Sequence, residues 1–282
     1  MPDYRGEIPR ERFREDKREM RRRKRRRFRR RLQGFIGILL ILVALVMFAM
    51  DPLKNYLIKK ESAANQVGNL TREEILRNQQ ADVTYDFSDI QNIDALEVIS
   101  DSVNPNHLPV IGGIAIPSLG VNLPIYKGVS NEGMYKGAGT LTPDQRMGES
   151  NYPIASHHSI DQNLLFAPLL RAELGQIVYL TDLETIYEYK IDFIESVAPE
   201  RVDLIQPTEE PILTMITCDY GLVNRFVVRA SLVDEVPITH ASKEMLEAFE
   251  IPQTTAAMLD PRLMNRPAVI SAGFFVFSFN YF

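Results

Sequence analysis

Ile212-Leu213-Thr214-Met215-Ile216-Thr217-Cys218 is an apolar, β-branched run that ends on the one cysteine of this 282-residue chain. A run of this length and composition reads as a buried strand delivering a single thiol to its end. Arg225 follows seven residues later and opens a second such run, Phe226-Val227-Val228. Upstream, Ala155-Ser156-His157-His158 closes another short apolar stretch. A lone thiol, a histidine and an arginine are the parts of a covalent acyl-transfer site.

Working outward, short extended segments recur from residue 110 to residue 233. They are expected at 110–117 (broken by Gly112-Gly113), 121–126, 151–157, 176–181, 185–195, 211–218 and 225–233. The pair 176–181 and 185–195 alternates apolar and polar residues around the tight turn Asp182-Leu183-Glu184, as a hairpin should. Seven or eight strands with few long helical patterns predict an all-β fold, a closed or nearly closed barrel. One short helix is expected over 164–172. Residues 53–95 look helical and polar, with Thr71 or Asn69 as a cap and acids in the turn that follows. The turn-rich Asn104-Pro105-Asn106 marks a boundary before the strands.

The net charge of −5 describes neither end of the chain. Residues 1–33 carry 16 basic and 6 acidic side chains, a net of +10, and the remaining 249 carry a net of −15. Residues 34–50 contain no charge at all. Seventeen residues lie at the short end for a spanning helix, since the hydrocarbon core is about 30 Å thick and each residue rises about 1.5 Å. Arg30 and Arg31 can lengthen the span by snorkelling. The basic block before it places the N-terminus in the cytoplasm and everything after Asp51 outside. A cleaved signal peptide fits less well, because the basic region is long and no small-x-small cleavage site follows. The block would also attract nucleic acid, but its position against an apolar span is explained by topology and anionic lipid, and no nucleic-acid partner is expected. The expected organisation is a cytoplasmic tail (1–33), an anchor (34–50), a stalk (51–104), a catalytic barrel (105–250) and a C-terminal extension (251–282) ending in the aromatic run SAGFFVFSFNYF.

One cysteine excludes an internal disulfide. A free thiol outside the cell is open to oxidation, so retaining one points to a use for it, against the alternative of a small buried hydrophobe. A thiol attacks as the thiolate and needs a base or a positive neighbour. His157 can serve as that neighbour and then protonate a leaving amine. Arg225 stays protonated, so its role is to donate hydrogen bonds to an oxyanion or to a substrate backbone. If Cys218 and Arg225 end and begin adjacent antiparallel strands, the loop between them sets them side by side. Arg229 lies on the same strand face and is the competing arginine. His107 and His240 have no partner pattern.

Thr214-x-x-Thr217-Cys218 followed by Arg225, with Ala155-Ser156-His157 upstream, resembles the sortase family, and class A sortases in particular. The resemblance extends through Ala138-Gly139-Thr140, through Met147-Gly148-Glu149-Ser150-Asn151-Tyr152, through Leu165-Phe166-Ala167-Pro168-Leu169 and through Val197-x-Pro199-x-x-Val202. It covers roughly residues 105–250. The chain departs from the pattern in having Met215-Ile216 between the two threonines and a second histidine, His158, beside the first. The family's histidine follows the small residue after alanine, which selects His157.

What the resemblance implies is an eight-stranded sortase-type barrel and a transpeptidase that reads an LPxTG-type sorting signal on surface proteins. Cys218 would form a thioacyl-enzyme at the Thr–Gly bond, and an amine on a lipid II type cell-wall precursor would resolve it. Ala155, His158, Val197, Pro199, Val202 and Thr217 would line the substrate side. The family also implies a Gram-positive cell; no cofactor and no metal are implied, and the acidic cluster through which some sortases bind calcium is not placed in this sequence. An exported cysteine endopeptidase using water, and a non-catalytic anchored surface module, are the competing functions.

Overall fold

The computed structural model describes residues 10–87, 90, 92–103, 106–218 and 223–253. The aromatic C-terminal run, residues 1–9 of the basic tail, residues 104 and 105, and residues 219–222 between Cys218 and Arg225 lie outside the described residues. The chain divides into two compact units, one ending at Lys54 and the other beginning at Asn55.

Among the described residues of the second unit are eight strands: β1 (Val110–Ile116), β2 (Val121–Tyr126), β3 (Ala138–Thr140), β4 (Asn151–Ala155), β5 (Ile177–Thr181), β6 (Thr185–Val197), β7 (Ile212–Cys218) and β8 (Arg225–Pro237). They close into a barrel in the order β1-β2-β3-β4-β7-β8-β6-β5, with β5 returning to pair with β1. The barrel is closed by burial on its inner face. On β7, Leu213 and Met215 point into a core shared with Ile154, Tyr152, Ile114, Val178, Tyr189 and Val228. Strand alternation then turns Thr214, Ile216 and Cys218 to the other face. The expected strand 121–126 is observed at both ends, and β8 runs on past 233 to Pro237.

Three expectations are corrected. β4 stops at Ala155, so His157 lies beyond the strand and not on it. The cause is local: Ser156 still donates its N–H to Ile216 O at 3.2 Å, but its Oγ and the His157 N–H both turn to Met134 O, at 3.0 and 3.2 Å. The segment 164–172 forms a 3-10 turn, Ala167–Arg171, with proline in its first positions. Proline fits a first turn because its missing N–H is unpaired there anyway. The stretch between the expected strands 121–126 and 151–157, in which no helix or strand is expected, holds a six-residue helix, α4 (Asn131–Lys136), and the three-residue β3.

The N-terminal helix α1 (Arg10–Ala64) contains the one segment among the described residues long and apolar enough to cross a membrane. From residue 55 onward the chain lies against the barrel. Ile58 of α1 and Val98 of α3 (Ala95–Val103) join the barrel core. Ile75 of α2 (Arg72–Asn78) packs with Val67, Ile238 and Phe249. Of the two expected caps it is Thr71 that caps α2, through a reciprocal capping box with Glu74.

One side chain of β4 adds to its backbone pairing with the cysteine strand β7. β4 and β7 run parallel with Asn151 opposite Ile212. Asn151 Nδ2 donates to Leu204 O and Gln206 O, each at 2.9 Å, and its Oδ1 accepts from Thr214 Oγ1 at 2.7 Å. Asn151→Ala strands these buried partners, and each unsatisfied buried group costs about 1–3 kcal/mol. The expected outcome is an unfolding free energy lowered by that order, read as a lower urea midpoint with an unchanged denaturant slope. A midpoint equal to wild type would show that the bridge contributes nothing.

Candidate active site

The antiparallel pairing of β7 with β8 puts Cys218 directly opposite Arg225. Arg225 Nη1 donates to Cys218 Sγ at 3.4 Å. Arg225 is also the pairing partner of Val197 on the far side, so the three backbones meet at one end of the barrel. Arg229, the competing arginine, pairs with Thr214 instead, and its guanidinium lies 5.6 Å from the centre of the Phe193 ring. Arg225 is therefore the arginine that faces the thiol.

The parallel β4–β7 pairing ends at Ala155, two residues before the histidine. Ala155 pairs with Ile216, and two residues further both chains reach His157 and Cys218. His157 is 7 % exposed, and its Nε2 lies 2.8 Å from Asn131 Oδ1 on α4. Burial pulls its pKa down from 6.5 to about 4, because a desolvated imidazolium is disfavoured. The ring is therefore neutral at neutral pH.

That shift predicts a stability profile. Above pH 6.5 the ring is neutral in the folded and unfolded states alike. Between about 6.5 and about 4 the unfolded ring takes a proton that the folded ring refuses, so stability falls as pH drops through this window. The slope from this one group is at most about 1.4 kcal/mol per pH unit. Urea unfolding at pH 7 and pH 5 should show a larger loss in wild type than in His157→Gln. Equal losses would mean that the ring titrates normally.

The other expected site residues are placed unevenly. Ala155 is buried among Val129, Met134, Leu141 and Ile216, and Val197 packs with Leu204 and Val227 beside Arg225. Thr217 points to the opposite face of β7 from Cys218, buried, and its Oγ1 has no hydrogen-bond partner among the described residues. His158 is half-buried. Pro199 and Val202 are exposed, the latter at 62 %, on the segment that leaves β6. Among the described residues there is no cluster of three or more His, Cys, Asp or Glu placed to hold a metal. A cavity of about 430 Å³ lined by Arg72, Lys127, Arg146, Tyr152 and Tyr187 includes none of these site residues.

Asn131 was not legible as a site residue. It lies 26 positions from His157, inside a stretch that reads as a loop, and its one local signal is the Ser130 cap that starts α4.

A family model described as the sortase domain matches residues 114–233. The chain is 37% identical over 219 residues to sortase A of Streptococcus agalactiae, covering 75% of this chain and 89% of that protein. It is 34% identical over 188 residues to sortase A of Listeria monocytogenes, covering 67% and 85% respectively. With sortase A of Staphylococcus aureus it shares 28% identity over 187 residues, covering 65% and 84%.

Proposed function

The chain belongs to the sortase family of cysteine transpeptidases, and from that premise we propose that it cleaves an LPxTG-type sorting signal between Thr and Gly and transfers the surface protein to a cell-wall amine. The observation that carries the reading is the contact between Arg225 and Cys218, with His157 two residues beyond the end of β4, the parallel strand paired with β7.

The chemistry follows from three groups. Cys218 Sγ adds to the Thr carbonyl carbon, and the carbonyl oxygen takes up the negative charge. The Arg225 guanidinium is a permanent cation within reach of that oxygen, and such charge is most effective in a site closed to water. His157, after receiving the thiol proton, returns it to the departing Gly amine. The C–N bond breaks and leaves a thioester on Cys218. An amine on a lipid II type precursor then adds to the thioester, His157 takes the amine proton, and the C–S bond breaks as that proton returns to the departing sulfur.

Pro199 and Val202, exposed on the segment that follows Val197, the pairing partner of Arg225, are assigned to the Leu-Pro part of the signal. Ala155 and His158 are assigned to the same substrate side, and Thr217, buried on the opposite face of β7 from Cys218, is not. The apolar segment 34–50 is read as the anchor, with the basic tail in the cytoplasm and the barrel outside a Gram-positive cell. Incubating the protein with an LPxTG-type peptide and measuring its intact mass tests the reading. A mass gain equal to the peptide up to Thr, located on Cys218, is the expected result, and a peptide cleaved with no adduct on any variant would oppose it.

A further inference from the structure

His157 is held from α4, and α4 is held from the segment that precedes the barrel. Asn131 Nδ2 donates to both carboxylate oxygens of Glu97, at 2.8 and 3.0 Å, while Asn131 Oδ1 faces His157 Nε2 at 2.8 Å. Glu97 belongs to α3, upstream of the matched family span 114–233. The same short helix is fixed at three more points. Tyr135 donates its hydroxyl to Asp101 of α3. Lys136 Nζ lies 2.8 Å from Glu132 and 3.7 Å from Glu61 at the end of α1. Asn106 Nδ2 donates to Glu132 at 2.6 Å.

These contacts settle the orientation of one amide, and through it the protonation of one ring. An ionised carboxylate only accepts hydrogen bonds, so Glu97 must face the nitrogen of the Asn131 amide. The oxygen is then turned to His157, and an amide oxygen also only accepts. Nε2 must therefore carry a proton, and in the neutral ring Nδ1 is the bare nitrogen. Without such a partner the two tautomers of a neutral imidazole compete, and one of them puts the base on the wrong side.

We propose that Asn131 and Glu97 are positioning residues for His157, fixing the tautomer with its proton on Nε2 and presenting Nδ1 as the base. The proposal rests on the assignment of His157 as the acid–base group of the transpeptidase. It makes the segment between the membrane anchor and the barrel part of the active site's support, because Glu97 acts from there.

The test reads the tautomer directly. The full chain, labelled with 15N-histidine and held in detergent micelles, gives the ring nitrogen shifts, with His157 assigned by comparison with His157→Gln. Wild type is expected to show Nε2 protonated and Nδ1 bare at neutral pH. Asn131→Ala should give a mixed or reversed tautomer and a kcat lower by up to roughly a hundredfold, part of the 100- to 10,000-fold that a positioned acid–base group supplies, with little change in KM. Glu97→Ala frees the amide to turn over and should move the tautomer in the same direction. Glu97→Gln keeps an accepting oxygen and should restore it.

A merely structural role would lower stability without this pattern of loss and rescue. A wild-type ring protonated on Nδ1, or a tautomer unchanged in both alanine variants, overturns the proposal. Should Asn131→Ala fail to fold, the wild-type spectrum and the Glu97→Ala and Glu97→Gln pair still decide it. The tautomer is read without substrate, so a protein that acylates with no LPxTG-type peptide would sink the substrate assignment and leave this measurement standing.

Discussion

Cys218→Ala is expected to abolish both cleavage and transfer, lowering kcat by about 10,000-fold or more, the scale seen when a nucleophile is removed from a site whose groups act as a unit. The reason is chemical. With no sulfur there is no thioester, and neither His157 nor Arg225 can supply a nucleophile in its place. The fold should survive, because Cys218 stands at the end of β7 and outside the buried cluster that Leu213 and Met215 join. The measurement is turnover of a quenched LPxTG-type peptide together with urea unfolding of the same preparation. A variant with a wild-type unfolding midpoint and no turnover is the expected result. Retained transfer in Cys218→Ala would remove the central residue of the mechanism.

The second large effect belongs to Arg225. Its guanidinium donates to Cys218 Sγ, and loss of a preorganised donor to a developing oxyanion costs roughly 100- to 1,000-fold in kcat. Arg225→Ala should lose that factor. Arg225→Lys keeps a charge but replaces a planar fork with a flexible point charge, so it should recover only part of the rate. Arg229→Ala is the internal control, since Arg229 pairs with Thr214 and stacks near Phe193 away from the thiol. It should cost no more than a few-fold. A reversed order, with Arg229→Ala the slower variant, would mean that the wrong arginine has been assigned to the oxyanion.

Much of the barrel was legible in the sequence because its strands are strongly patterned. The run 212–218 is apolar and β-branched, and the hairpin 176–195 alternates around a turn with polar ends, so both stand out without any neighbour. The elements that escaped are those with little local pattern. β3 is three residues long, and its place in the sheet comes from pairing with β2 and β4. α4 is six residues long, and its stability comes from Glu97, Asp101 and Glu61, which no window around residue 131 contains.

The site divides in the same way. Cys218 and Arg225 were legible together because an antiparallel pair with a short connection fixes them opposite one another. His157 was legible by its place after Ala155 and Ser156, but not as a residue beyond a strand end. The hydrogen bonds of Ser156 and His157 to Met134, which pull the chain off β7, join segments more than twenty residues apart. Thr217 shows the limit of motif reading. Its neighbour carries the thiol, yet the pleat sends its own hydroxyl to the opposite face.

The measurement that tests the account most directly is product analysis by mass spectrometry after the full-length protein acts on an LPxTG-type peptide, with and without triglycine. The account predicts a ligated product, peptide up to Thr joined to triglycine, formed faster than hydrolysis and absent from Cys218→Ala. Cleavage that is indifferent to the amine, with water as the acceptor throughout, would contradict transpeptidation and make the enzyme an endopeptidase.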